Sequence, residues 1–306
     1  MTTYRTIYAN GTEVFYREAG NPATPTLLLL HGFPSSSAQY DQLMQRLAGT
    51  CHVLAPDYPG FGRSPTLAGT TTFDRLADVI DSFTESKNLE QYSLYMFDFG
   101  SPVGFRIAAR HPERVQALVL QNGNAYAVGL GPGVKALERY WTDRATNEAA
   151  IREFLTLEAT RSQYVDGVAD PTRLNPDLWE LDQRYLDMPG RDQVMLDLLY
   201  DYRNNVALYP EWQEYLRTYT PPALLPWGRN DAFFPPEGAR AYLEDLPDAE
   251  LHLLDTGHFA TATHSPEIAA LIVTFLQNHV AASAGGFSTS PPFHDEAADE
   301  SAMYRR

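Results

Sequence analysis

The sequence predicts an α/β protein: a mostly parallel, doubly wound sheet with an inserted helical lid. Three observations lead there. Short apolar runs of strand length alternate with amphipathic segments of helix length, the pattern of parallel strands joined by crossover helices. The alternation stops after Asn122, and Lys135 to about Arg217 has helical spacing with no strand signal. Strands then resume at Ala223. A length of 306 residues suits one such core with an insertion, since single cores stop growing at about 250–300 residues.

The elements follow in order. Arg5–Ala9 and Thr12–Glu18 flank Asn10-Gly11, the dipeptide a type I′ turn prefers, so the chain opens on a β-hairpin. Thr26–Leu30 and His52–Pro56 are short strands, with helical spacing over Ala38–Leu47 between them. Phe73–Ser86 is an amphipathic helix, Tyr92–Phe97 a strand, Val103–Arg110 a helix and Val115–Leu120 a strand. Gly129, Gly131 and Gly133 loosen the chain before the helical stretch. Ala223–Trp227 and Glu250–Leu254 are strands, each followed by a helical segment. The expected divisions are 1–128 and 218–283 for the two parts of the core, 129–217 for the lid and 284–306 for a disordered tail. His294, Asp295 and Glu296 in that tail do not make a metal site, because nothing there fixes coordination geometry.

Composition narrows the function. The net charge of −16 repels nucleic acid and anionic lipid, so neither is an expected partner, and it is also a common way to stay soluble. No apolar run approaches the roughly 18 residues a membrane span needs, and the N-terminus lacks a signal-peptide pattern. The single cysteine, Cys51, fits a reducing compartment, so a cytoplasmic location is expected. Half a dinucleotide fingerprint, Gly60-x-Gly62, ends at Pro65 where a third glycine would be needed; no cofactor or metal is implied.

In doubly wound sheets, functional residues collect at the carboxyl ends of strands. Here those ends carry His31-Gly32-Phe33-Pro34, Asp57 to Ser64 (DYPGFGRS), Asp98-Phe99-Gly100, Gly228-Arg229-Asn230-Asp231 and Asp255-Thr256-Gly257-His258-Phe259. An Asp, a later Asp and a final His, each just past a strand, give the order nucleophile, acid, base. Each has a plainer reading. Asp98 could cap the following helix, Asp231 could be a turn residue with Asp255 as rival acid, and Ser101 is a rival nucleophile three residues past Asp98.

Over roughly residues 10–280 these motifs, in this order, resemble the α/β-hydrolase superfamily. The nucleophile turn is usually Gly-x-Ser-x-Gly; here it reads Met96-Phe97-Asp98-Phe99-Gly100, similar to the branch holding epoxide hydrolases and haloalkane and fluoroacetate dehalogenases. The resemblance implies that Asp98 attacks a saturated carbon to form an ester, that His258 activates water against that ester, and that Asp231 orients His258. It implies an oxyanion hole from the backbone N–H groups of Phe33 and Phe99, and a structural role for His31. An esterase or lactonase, or a non-catalytic ligand-binding member of the fold, are the alternatives from other classes.

The leaving group divides the branch. A halide needs N–H donors, whereas an epoxide oxygen needs a proton from a general acid over Asp98. Dehalogenases typically place Trp, or Arg, directly after the nucleophile; here Phe99 offers no side-chain donor. Epoxide hydrolases hold two lid tyrosines over the nucleophile. Asp201-Tyr202-Arg203-Asn204 resembles the stretch carrying one of them, which makes Tyr202 the candidate acid, with Tyr140 beside Trp141 as candidate partner. Epoxide hydrolysis is therefore expected first and dehalogenation second, with Trp141 and Asn124 the halide donors to examine.

Overall fold

A computed structural model describes residues 1–280; the expected tail and its His294-Asp295-Glu296 cluster lie outside the described residues. The hairpin forms as β1 (Thr3–Ala9) and β2 (Thr12–Ala19), and Asn10 and Gly11 both take positive φ, 43° and 80°, as its turn type requires. The remaining strands are β3 (Thr26–Leu30), β4 (His52–Pro56), β5 (Tyr92–Phe97), β6 (Val115–Gln121), β7 (Ala223–Gly228) and β8 (Glu250–Leu254). They make one eight-stranded sheet in the order β1-β2-β4-β3-β5-β6-β7-β8. β2 runs antiparallel to both its neighbours and all other pairs are parallel.

β3, β4 and β5 are buried along their whole length, so they read as continuous apolar runs rather than as alternation. Alternate residues still serve two separate cores. Leu28, Leu30, Leu94, Met96, Leu118 and Leu120 pack on the side of α2 (Phe73–Ser86), α3 (Gly100–Arg110) and the later α10 (Pro236–Asp245). Leu27, Leu29, Val53, Tyr95, Phe97 and Val119 pack on the opposite side, with α1 (Asp41–Leu47) and α11 (Ala260–His279). The expected helix over Ala38–Leu47 is split: Ser37–Tyr40 is a tight 3₁₀ turn leading into α1, with Ser36 accepting from the Ala38 N–H.

Between β6 and β7 the chain is helical throughout: α4 (Pro132–Lys135), α5 (Glu138–Thr142), α6 (Arg144–Arg152), α7 (Leu157–Val165), α8 (Asp177–Leu186) and α9 (Arg191–Tyr219). The last runs two residues past the expected end. α9 is tied to the core by polar contacts. Asp201 accepts from the Phe73 N–H (2.8 Å), Asp197 from the Thr71 N–H (3.2 Å), and Asn205 from Arg106 (2.8 Å). Asp201 thereby caps α2 from outside its own element and fixes the rotation of its neighbour Tyr202.

Candidate active site

Asp98 opens the two-residue turn between β5 and α3 with φ +49°, a left-handed backbone rare for a non-glycine residue. Such a sharp turn needs close approach on both sides. A Cβ on Gly32 would lie 2.5 Å from the Asp98 side chain, and one on Gly100 would lie 2.2 Å from the Leu30 carbonyl. Met96, standing where a small residue is usual, is accommodated from the other side: a Cβ on Gly104 would meet its sulfur at 2.1 Å. The Asp98 carboxylate does not cap α3. Its Oδ1 accepts from the Phe33 N–H (2.5 Å), and the neighbouring Phe99 N–H favours its charged form.

The other two predicted residues meet it. His258 Nδ1 lies 2.7 Å from Asp231 Oδ2, and His258 Nε2 lies 3.9 Å from Asp98 Oδ2. All three are buried. Asp231 is held by the Phe233 N–H on Oδ1 (2.7 Å) and by Asn122 Nδ2 on Oδ2 (2.9 Å). With its carboxylate satisfied, Asp231 fixes the His258 tautomer with hydrogen on Nδ1 and leaves Nε2 facing Asp98. Burial raises the Asp98 pKa to about 6, against the opposing influence of His258 and the two N–H donors. For His258, burial disfavours the charged form, but Asp231 and then Asp98 outweigh it and raise the pKa above its ordinary value. His31 is pushed down to about 4 by burial, so it is neutral at pH 7; its Nε2 accepts from the Tyr58 N–H.

Above the three lies a small cavity of about 30 Å³, lined by both core and helical insertion. Phe33, Phe99, Val134, Leu137, Phe154 and Leu199 make its wall largely apolar; the polar side chains on it are Asp98, His258, Tyr202 and Gln163. Burial holds the Tyr202 phenol well above its ordinary pKa, with Tyr209 and then Asp98 adding to this, so the hydroxyl keeps its proton.

The alpha/beta hydrolase fold model matches residues 25–265. The chain belongs to that family. An uncharacterized hydrolase of Saccharomyces cerevisiae is 40% identical over 280 residues, 88% of this chain and 95% of that protein. Haloalkane dehalogenase 1 of Mycobacterium bovis is 41% identical over 102 residues, 32% of this chain and 34% of that one. Among solved structures, that of DBJA superposes with a TM-score of 0.78 at 21% identity, covering 91% of this chain and 99% of that chain, a likeness of fold. The protein is thus a hydrolase of the alpha/beta fold family, and among the described residues no helix is long and apolar enough to cross a membrane.

Within this family frame, several candidates read from sequence are not brought to the cavity. Tyr140 is the clearest correction: its hydroxyl donates to the Leu196 carbonyl (3.2 Å) and its ring packs edge-on against Tyr200. The reason is helical phase. Tyr140 is the fully buried residue of α5, turned into the packing against α9, while Trp141, about 100° further round the helix, is half-buried and stacks on Tyr202. Ser101 is buried against Gly123 with no partner for its hydroxyl, Asp255 is exposed and paired with Arg229 (2.8 Å), and Cys51 is buried. Both halide donors considered are committed elsewhere. Trp141 Nε1 donates to the Leu199 carbonyl (2.8 Å); Asn124 Nδ2 donates to the Tyr126 carbonyl and the Tyr209 hydroxyl.

Two residues escaped the sequence reading. Asn122, at the end of β6 with φ +46°, braces the Asp231 carboxylate and pairs with both the N–H and the C=O of Gly228. A polar residue just past a strand was the available signal. Gln163 had none, since nothing in its helical surroundings separates a cavity residue from a surface one.

Proposed function

We propose that this protein hydrolyses small, largely apolar substrates at a saturated carbon through an ester on Asp98, with epoxides as the substrate class. The observation that carries the reading is the Asp98 carboxylate, bonded by the Phe33 N–H and facing His258 Nε2 at 3.9 Å, with His258 in turn bonded to Asp231. An ionised carboxylate needs no base to attack carbon, unlike a serine hydroxyl. One Asp98 oxygen forms the new C–O bond, and the breaking bond leaves its electron pair on the epoxide oxygen, which takes a proton from Tyr202.

In the second step His258 removes a proton from water, and the hydroxide attacks the ester's carbonyl carbon. The negative charge then gathers on the Asp98 oxygen cradled by the Phe33 and Phe99 N–H groups, where such donors contribute about 3–4 kcal/mol. The ester bond breaks and its oxygen takes the proton of the added hydroxyl, so the diol leaves and the Asp98 carboxylate is restored; the proton that His258 took from water passes through solvent to the Tyr202 phenolate, resetting both groups. Epoxide rather than halide is favoured by Tyr202 on the cavity wall, whose hydroxyl has only the Tyr209 hydroxyl as partner at a long 3.5 Å, and by the shorter commitments of Trp141 and Asn124 to backbone carbonyls. An esterase reaction is disfavoured because Ser101 lies off the cavity wall.

Dehalogenation is the second reading, favoured by the 41% identity to haloalkane dehalogenase 1 over 102 residues. One experiment addresses both. His258→Gln protein is exposed to styrene oxide and to 1-bromobutane, and the peptide containing Asp98 is weighed. A stable adduct of substrate mass is expected with the epoxide. Adduct from bromobutane alone selects the second reading, and adduct from neither removes the ester mechanism.

A further inference from the structure

The cavity has a second polar resident on its lid side that the mechanism above leaves unused. Gln163 is 4% exposed and shares the cavity wall with Asp98, His258 and Tyr202. Among the described residues its side-chain amide has no hydrogen-bond partner, although its neighbours on α7 are all engaged. Thr160 donates to Gln183 (2.8 Å) and Tyr164 to Asp182 (2.5 Å), both on α8. Gln163 lies about 100° around the helix from Tyr164, which turns it from α8 towards the cavity. Unpaired within the protein yet not sealed from the cavity space, this amide is free to bond a molecule that enters there.

The helix that carries it is firmly seated on the loops of the acid and the base. The Tyr164 ring stacks on Phe259, next to His258, at 3.9 Å between centroids. Asn230, next to Asp231, donates to the Gly167 carbonyl (2.8 Å), and a Cβ on Gly257 would lie 1.9 Å from the Asp166 carbonyl. Gln163 is therefore positioned by the elements that position the reacting groups, and it enters the cavity from a different helix than Tyr202 does.

We infer that Gln163 is a substrate-contacting residue whose amide donates an N–H to the oxygen leaving the substrate carbon, alongside Tyr202. This deepens the Asp98-ester reading and rests on it. As Asp98 bonds to carbon and the electron pair of the breaking C–O bond moves to oxygen, Tyr202 gives up its proton to that oxygen. The Gln163 N–H is not transferred, because an amide is far too weak an acid. It holds the developing charge and aims the oxygen at the phenol. Only a charge that grows in the transition state strengthens this bond, so its effect belongs to ester formation and not to ester hydrolysis.

The test uses the full chain, styrene oxide, and rapid quenching with mass analysis of the Asp98 peptide, which follows ester formation and decay separately. Gln163→Leu removes the amide; Gln163→Met, unbranched and of similar length, stands in should the leucine variant fold poorly. Ester formation should slow about 10–100-fold, the range for one hydrogen bond to a charged group. Ester decay should stay within about twofold and the melting temperature should not fall, since an unpaired polar group has been replaced by an apolar one. Ester formation at the wild-type rate, or equal slowing of both steps, overturns the role. Ester formed alike by wild type and variant defeats this inference alone, whereas its absence from the wild type defeats the Asp98 reading and this one with it.

Discussion

Asp98→Asn should make the protein more stable, and by an amount that depends on pH. In the folded protein the carboxyl ionises near pH 6 instead of near 3.8, chiefly because it is buried. Each pH unit corresponds to about 1.4 kcal/mol, so holding the charged form in the native cavity costs about 3 kcal/mol. The sign follows from where protons are bound. Below about pH 4 both states keep the proton and there is no cost. From about 4 to 6 the unfolded chain ionises while the folded one does not, and wild-type stability falls as pH rises. Above about 6 the cost is constant. Asparagine keeps the acceptor for the Phe33 N–H and carries no charge. The variant should therefore gain about 3 kcal/mol at pH 8, roughly 5–10 °C in melting temperature, and almost nothing at pH 4. Urea denaturation of both proteins across that range measures it, with intact mass confirming that the asparagine persists. Equal midpoints at pH 8 would refute the burial cost. A gain of the same size at pH 4 would assign it to packing and not to charge.

Other expectations follow from the same geometry. Ester formation in wild-type protein should fall tenfold per pH unit below about 6, because Asp98 must be ionised to attack; in His258→Gln that limb should move higher, since the charge opposing the shift is gone. Tyr202→Phe should slow styrene oxide opening by about 10²–10⁴-fold, as for a positioned general acid, while a haloalkane, needing no proton, should lose about tenfold; similar losses on both would make Tyr202 a pocket wall. Asn122→Ala should cost about 1–3 kcal/mol in denaturation, because it strips partners from the buried Gly228 backbone and from Asp231, and a change within error would show that water replaces them.

The core of the fold was legible because its strands are short and end at turn residues, and because β3, β4 and β5 are buried on both faces. β3, β4, β5 and β8 have the bounds expected from sequence, and β1 is longer by the two residues Thr3 and Tyr4. The hairpin register was carried by Asn10-Gly11, whose backbone few other pairs adopt so cheaply. The start of α3 was set three residues late, at Val103, because Gly100, Ser101 and Pro102 are poor helix signals. They are nonetheless what the first turn needs after a strained residue: a glycine that admits the Leu30 carbonyl and a proline at a position where a missing N–H is harmless.

The candidate site divides along the same physical line. Asp98, Asp231 and His258 follow strands, and parallel strands in a closed register bring their carboxyl ends to one edge, so chain order alone placed them together. The insertion has no register. Which of its side chains reach the cavity depends on the rotation of each helix, and rotation is decided by contacts distant in sequence: Asp201 on the Phe73 N–H for Tyr202, Tyr164 on Phe259 for Gln163. In α5 neither Tyr140 nor Trp141 reaches the cavity wall, which Leu137 lines just before that helix. On the proposed mechanism, the reacting groups and the groups that choose the leaving oxygen are held by different kinds of structure. A sheet edge can keep the first set fixed while small rotations of α5, α7 and α9 alter the second, so changes of specificity in this chain should arise on those helices, at Gln163 and Tyr202 before Asp98 or His258.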